Sequence, residues 1–204
     1  MPAKPAREPV VLRPPTRFPP DHVAERWDAR RLLAEGPEFE QYHFIGADFG
    51  GANLSRLRFL DCRFERCNLS SVQLTQTALQ NVAFDGCKLL GVPFGACRDM
   101  LFGVHFDRCQ LRYATFGGRK MPATRFADCT LDEADFTNAD LTGATFAGCT
   151  LAGTVFHDTQ LAGADFTTAT GFALDPEANG LAGARFALAG LPGLLGKYGV
   201  VVDF

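Results

Sequence analysis

The chain has 204 residues, a formal net charge of −3 and an apolar content of 47%. This composition excludes a disordered or strongly polyanionic chain, and the length fits one domain with short appendages. No apolar run approaches the ~18 residues that a transmembrane helix needs, so no membrane span is expected. The first residues lack the apolar core of a signal peptide, and a cytoplasmic location is therefore expected.

Two short segments precede the main part of the chain. Residues 1–20 contain seven of the 12 prolines, and proline fixes φ and removes a hydrogen-bond donor, so a flexible tail is predicted. Residues 21–38 are predicted to form a short helix that Asp21 caps and that Gly36 ends. This helix is expected to cover the N-terminal end of the fold. Its expected apolar contacts are Val23, Trp27 as the anchor, and Leu32 or Leu33.

Residues 39–187 carry a bulky apolar side chain at every fifth position. A period of five fits neither a helix nor a strand, and it indicates a chain that turns a corner every five residues. Two positions earlier, a small or β-branched residue recurs, such as Cys67 or Ala139. The bulky series includes Phe44, Phe49, Leu54, Phe59 and Phe64 and, after one interruption, Leu101, Phe106, Leu111, Phe116 and Met121.

A step of twenty residues, with two extra residues near position 98, separates the bulky positions into columns of one type. Four corners per coil therefore explain the pattern, with two opposed phenylalanine faces and two opposed leucine-rich faces. The sequence predicts an all-β solenoid, a right-handed quadrilateral β-helix of about seven coils with short helical caps at both ends. One column contains only phenylalanine: Phe44, Phe64, Phe84, Phe106, Phe126, Phe146, Phe166 and Phe186.

The interruption lies at residues 95–100 and adds two residues to one corner. A two-residue excess predicts a small bulge, in which outward side chains break the regular surface. The predicted bulge residues are Ala96, Cys97, Arg98, Asp99 and Met100.

No catalytic constellation is present, and no cofactor or metal site is predicted. The four histidines lie in unrelated positions, and there is no phosphate-binding glycine loop or nucleophile elbow. The seven cysteines fall in the small-residue phase or at the interruption, which indicates buried reduced thiols rather than disulfides or metal ligands. The protein is therefore not expected to be an enzyme.

Residues 188–204 are predicted to form a short helix followed by an apolar strand. This segment is too apolar for a solvated tail, so we expect it to cap the solenoid and to pair with a second copy in a homodimer. The expected interface residues are Leu191, Leu194, Leu195, Tyr198, Val200, Val201, Val202 and Phe204.

Charge is unevenly distributed along the chain. Residues 41–120 carry ten basic and six acidic side chains, whereas residues 121–180 carry nine acidic side chains and Arg125 alone. The acidic segment predicts either a surface that imitates duplex DNA or simply a solvated, soluble surface. The candidate partner-binding acids are Asp128, Asp132, Glu133, Asp135, Asp140, Asp158 and Asp165.

The five-residue pattern over residues 39–186 resembles the pentapeptide-repeat family. Three segments, residues 59–69, residues 87–92 and the ending from Ala184 to Val201, are similar to its topoisomerase-protecting members. These are the albicidin-resistance and microcin B17-immunity proteins and, more loosely, the quinolone-resistance proteins. The resemblance implies a C-terminal dimer that binds bacterial DNA gyrase, shields it from a poison and imitates DNA. No direct binding to nucleic acid is expected, and the alternative is a generic interaction scaffold with an unrelated protein partner.

Overall fold

The computed structural model describes residues 15–201 as a solenoid of parallel strands. Seven strands form one sheet, in the order β1-β3-β5-β7-β8-β9-β10, and three form a second, in the order β2-β4-β6. No helix in this part of the chain is long and apolar enough to cross a bilayer. The strands are β1 Val23–Glu25, β2 Glu38–Glu40, β3 His43–Ile45, β4 Arg58–Leu60, β5 Arg63–Glu65, β6 Ala78–Gln80, β7 Val82–Asp85, β8 Val104–Asp107, β9 Arg125–Ala127 and β10 Thr145–Ala147; the helices are α1 Ala29–Glu35 and α2 Pro192–Leu195.

The predicted register of twenty residues is confirmed. Phe44 pairs with Phe64, and Phe126 pairs with Phe146. Across the interruption the step becomes 22, since Phe84 pairs with Phe106. Four bulky residues per twenty-residue step give the tube four faces. We call the inward-facing bulky residue of each five-residue repeat its central residue, and we number the faces by these residues. Face 1 contains Phe44 to Phe186, face 2 contains Leu69, Leu89, Leu111, Leu131 and Leu151, face 3 contains Phe94, Phe116, Phe136 and Phe156, and face 4 contains Phe39, Phe59, Leu79, Met121, Leu141 and Leu161.

Stacked aromatic rings fill the interior. On face 1, successive rings lie parallel, with centroids 5.2 Å apart for both Phe106–Phe126 and Phe126–Phe146. The opposed rings of face 3 meet them edge-on, as Phe116 does against Phe126 at 6.0 Å and 86°. Offset stacks and edge-to-face contacts are the arrangements that aromatic quadrupoles favour. The two phenylalanine faces therefore lock together across the axis, as the column pattern predicts.

Side chains in the small-residue columns form hydrogen bonds in addition to filling space in the core. Cys87 Sγ donates to the carbonyl of Phe64 (3.3 Å), and Thr159 Oγ1 donates to the carbonyl of Phe136 (2.9 Å). Each bond joins a side chain to the central residue of the preceding coil, which gives cysteine and threonine a role at these positions that alanine cannot fill. Burial raises the pKa of both Cys62 and Cys97 to about 12, so these two thiols stay protonated at neutral pH.

Two backbone devices turn the corners. A residue in the left-handed region follows the central residue by two positions, as in Gly143 (φ 68°) and Asn138 (φ 60°). An aspartate or asparagine just before the central residue accepts from the amide two positions later, as Asp140 Oδ1 does from Thr142 (3.0 Å). Both features are typical of tight turns with glycine or Asx residues. The repeated acid is therefore first a corner-forming residue.

The N-terminal end differs from the sequence prediction. The predicted helix from Asp21 is instead a 3-10 turn (Pro20–His22) followed by β1, which adds a coil below Phe44. Helix α1 begins later, because Asp28 rather than Asp21 accepts the capping bond from Arg31 N (2.8 Å). Trp27 is buried against the edge of Phe44, as expected of an anchor. Leu32 is buried, whereas Val23 and Leu33 are exposed.

The predicted inward column on face 4 is wrong at one position. The five-residue phase places Leu101 inside, but it has φ 58° and is 64% exposed. Phe102 packs against the core in its place. The extra residues force this exchange, because they shift the inward position by one.

The Phe126→Ala substitution tests the aromatic column. It should lower the free energy of unfolding by about 3–5 kcal/mol, because a fully buried ring is removed from between two others. Urea denaturation followed by circular dichroism measures this loss. Phe186→Ala is the matched control and should cost clearly less, since this last rung is only partly buried. Equal losses at both positions would contradict the tighter packing of Phe126.

Candidate functional site: a protein-interaction surface

The seven predicted acids encircle the tube instead of lining one face. Asp135 lies in a bridge ladder of face 3, Asp140 in one of face 4 and Asp165 in one of face 1. The series position of Asp132 and Glu133, just after Leu131, places them on face 2 and at its edge with face 3. A partner that approaches from one side therefore meets only part of the set.

Some of these carboxylates have a structural role. Asp165 Oδ1 accepts from Thr167 Oγ1 (2.6 Å) and Thr167 N (2.9 Å), and its other oxygen lies 3.2 Å from the Arg185 guanidinium. These bonds, chiefly that from the Thr167 hydroxyl, lower the pKa of Asp165. Asp135 Oδ1 likewise accepts from Thr137 N (2.8 Å). Such acids are partly explained by turn formation alone.

Other acids have no neutralising partner. Within residues 15–201, no basic side chain lies within ion-pair distance of Asp132, Glu133, Asp135 or Asp140. Asp132 Oδ1 accepts only from the backbone N–H of Ala152 (3.1 Å) in the next coil. The edge formed by Asp132, Glu133 and Asp135, which we name the acidic edge, is consequently the most concentrated uncompensated charge among the predicted acids.

The N-terminal half contrasts with this region, because its face-1 charges neutralise each other. Arg63 pairs with Asp85 (2.6 Å), Arg108 pairs with both Asp85 and Asp107, and His43 lies 3.0 Å from Glu65. These pairs run across successive coils, so they compensate charge along the rod. The sequence shows the basic excess there, but this ladder was not predicted. The spacing of about one coil that separates Asp85 from both Arg63 and Arg108 could have indicated it.

The bulge lies slightly later than predicted. Arg98 N still bonds to the carbonyl of Thr77 (2.9 Å) in the earlier register, and Gly103 N bonds to that of Leu79 (3.0 Å). The two extra residues therefore fall between Arg98 and Gly103. Cys97 is buried in the core, and Ala96 belongs to a 3-10 turn (Phe94–Ala96), so neither projects. The projecting residues are Arg98, Asp99, Met100 and Leu101.

The C-terminal segment folds back over the last coil. Leu174 N donates to the carbonyl of Gly193 (2.9 Å), and Lys197 Nζ binds Asp175 (2.6 Å) and Glu177 (2.7 Å). These ion pairs lower the pKa of both acids. Two 3-10 turns (Leu188–Gly190 and Gly196–Tyr198) flank α2. The predicted terminal strand is not formed through Val201, and Val202 and Phe204 lie outside the described residues.

Several apolar side chains of this cap face outward. Among the expected interface residues, Leu194 packs on the core and Leu195 is half-buried. The others that the structure describes remain uncovered by the chain itself, Val201 most of all. An apolar surface at the end of a rod is a feature typical of interaction sites. The exposed residues are Leu188, Leu191, Tyr198, Val200 and Val201.

Comparison with known families agrees with this architecture. The family model for the pentapeptide repeat region matches residues 37–98 and 92–166, more than half of the chain. The chain belongs to the pentapeptide-repeat family. No curated protein sequence matches it significantly.

Two solved structures of QnrB1, described as a plasmid-mediated fluoroquinolone resistance protein, share the fold of this pentapeptide-repeat protein. Both are trypsin-treated variants with 18% sequence identity. One gives a TM-score of 0.59 and covers 88% of this chain and 93% of its own, and the other gives 0.60 with 90% and 100%. At this identity the likeness establishes the β-solenoid fold of the chain, which was also predicted from its sequence.

The turn role of Asp165 predicts a pH-dependent contribution to stability. Its pKa is lowered in the folded state, so the contribution is present above the unfolded value of about 3.9 and is lost as pH falls through the lowered folded value. The difference in unfolding free energy between wild type and Asp165→Asn should be constant above about pH 5 and shrink below about pH 4. Urea denaturation from pH 3 to pH 7 measures it. Thr167→Val should remove most of the pH-dependent part, and a pH-independent difference would contradict this role.

Proposed function

We propose that this pentapeptide-repeat protein binds a bacterial type II topoisomerase, DNA gyrase, and protects it from a poison such as albicidin. The acidic edge would occupy part of the surface that normally holds duplex DNA. The fold shared with a fluoroquinolone resistance protein supports this proposal, as does the similarity of the repeat and C-terminal segments to topoisomerase-protecting proteins. The protein would act by binding, without catalysing a reaction.

The observation that carries the proposal is the charge of one coil. Residues 126–145 contain five carboxylates and no basic side chain. One coil rises by about 4.8 Å, the spacing of paired strands, and duplex DNA carries about three charges over that length. The charge density of this coil therefore equals or exceeds that of DNA. Because its carboxylates point to different faces, a groove would contact mainly the acidic edge: Asp132, Glu133 and Asp135.

The bulge and the C-terminal cap complete the proposed mode of action. A two-fold partner that covered the exposed apolar residues of the cap would place two acidic segments near the centre of a longer rod. The central position suits a symmetric enzyme that binds a continuous duplex. The bulge, on the third coil from Phe44, would then point toward the partner from the side of each arm.

A generic interaction scaffold is the second candidate. One specific observation favours it, since Asp135, Asp140 and Asp165 each accept a backbone N–H bond in their own corner. Their negative charge would then be a by-product of turn formation. The two candidates differ in what charge reversal does to gyrase protection.

Charge reversal at the acidic edge separates these candidates. Asp132→Lys, Glu133→Lys and Asp135→Lys together should reduce protection at least tenfold, because attraction to a basic groove becomes repulsion. A supercoiling assay with purified gyrase and albicidin measures the concentration needed for half-protection. The matched control reverses Glu25, Glu35 and Glu40, which are exposed acids at the other end of the rod with the same total charge change. Equal effects of both triple variants, or none, would count against docking through this edge.

A charge in the cap tests the dimer. Val201→Glu should convert the protein to monomers, because a carboxylate would be buried without a partner at the proposed apolar interface. Light scattering coupled to size-exclusion chromatography gives the mass. Val155→Glu is the control, since Val155 is an exposed valine on the wall of the tube. A wild-type mass of about 22 kDa, or an unchanged mass of the Val201 variant, would refute the interface.

A further inference from the structure

Arg119 occupies a position where the repeat calls for a small side chain. It lies two residues before the central Met121, in the column of face 4 that otherwise holds small or medium residues. Despite its length and charge, Arg119 is only 7% exposed. The other members of the column are Leu57, Thr77, Cys97, Ala139 and Thr159.

The guanidinium of Arg119 is directed at the bulge. Its Nη1 donates to the carbonyl oxygens of Cys97 (3.0 Å) and Arg98 (3.2 Å), and its Nη2 lies 2.5 Å from the Asp99 carboxylate. The guanidinium carbon lies 5.4 Å from the centre of the Phe102 ring. One side chain thus contacts four of the six residues from Cys97 to Phe102.

The two extra residues of the chain explain how this arginine fits. A regular coil would place a further wall residue directly beside it, and a buried charge without partners would be costly. The insertion lies between Arg98 and Gly103, and the guanidinium makes charge-assisted bonds to the residues at its start. The bulge therefore supplies the partners of both terminal nitrogens of Arg119, whereas its Nε is buried without a hydrogen bond.

Two apolar side chains of the bulge project from the tube into solvent. Met100 is 80% exposed and Leu101 is 64% exposed. The backbone on both sides is fixed, because Arg98 N bonds to Thr77 O and Gly103 N bonds to Leu79 O. The Arg98 Nε also donates to the carbonyl of Gln76 (2.9 Å). An exposed apolar tip on a fixed base is suited to insertion into an apolar recess of a protein.

We propose that Arg119 is a positioning residue that holds the Met100–Leu101 tip in one conformation for the protein partner. This inference rests on the proposed function for the identity of the partner, but the clamp itself does not. A tip fixed before binding avoids the cost of ordering a loop in the complex. Loss of the clamp should therefore weaken partner binding without unfolding the solenoid.

Hydrogen exchange tests the clamp without any partner. The Arg119→Met substitution keeps most of the stem but removes the guanidinium bonds to the carbonyls of Cys97 and Arg98. Because these bonds hold the bulge in place, the amides of Arg98 and Gly103 should exchange about tenfold faster or more. The amides of Phe126 and Phe146 should be unchanged, which shows that the solenoid remains folded. Arg119→Lys should restore part of the protection, and Arg112→Met serves as an exposed-arginine control from the same coil. Unchanged exchange at Arg98 and Gly103 in Arg119→Met would overturn the proposal.

The supercoiling assay with gyrase and albicidin tests the purpose of the clamp. Both Arg119→Met and the double variant Met100→Ser/Leu101→Ser should need a concentration several-fold higher for half-protection, but only the former should change exchange in the bulge. Faster exchange with full protection would overturn the role of Arg119 toward the partner. If the wild-type protein gives no protection, the topoisomerase proposal fails, whereas the exchange result still decides whether Arg119 fixes the tip.

Discussion

The return of the chain to the same face after four corners is the constraint on which the rest of the structure depends. The backbone bonds between coils, the stacked rings and the thiol or hydroxyl bonds to the preceding coil all require this return, which takes twenty residues, or 22 at the interruption. Each coil buries its central residues only because another coil lies above or below it. The columns of identical side chains follow, because a phenylalanine ring stacks best on another ring in the same orientation.

This constraint gives the surface acids two roles. The position before the central residue favours aspartate or asparagine, because their side chains accept the corner amide, as Asp140 does. The positions after it carry no such requirement, and Asp132 lies there without a neutralising partner. The acidic edge thus combines Asp135, whose side chain forms the corner, with Asp132, which accepts one bond from the next coil, and Glu133, for which the structure shows no such bond. Because Asp132 and Glu133 have no basic partner and do not form a corner, they are the stronger sign of a binding role.

Most of the fold could be predicted because the repeat encodes it redundantly. Single-type columns indicated the four faces, and the aromatic contacts between Phe116 and Phe126 agree with them. Prediction failed where the repeat is interrupted or ends. Leu101 kept the five-residue phase in the sequence, but the extra residues turn it outward and Phe102 inward. At the N-terminus, Asp28 caps the helix and Asp21 does not, because residues 23–25 form a strand that pairs with β3 and the helix begins only after it.

The candidate site was harder to predict, because its elements come from different coils. The acidic residues could be named from composition, but their distribution over four faces depends on the phase of each corner. Arg119 was missed, although an arginine in a small-residue column was visible in the sequence. Its partners, Cys97, Arg98 and Asp99, lie about twenty residues earlier and meet it only after a full coil.

The interruption at the bulge changes one corner and leaves every column beyond it in step, since Phe106 still stacks on Phe84. The tube can therefore acquire or lose whole coils, or lengthen a single corner, while its remaining walls stay as they are. The separation between the charged coil and the chain end then changes only in fixed increments of about 4.8 Å. The length of such a rod can therefore be matched to that of a target in steps of one coil, without a change in the packing of its interior.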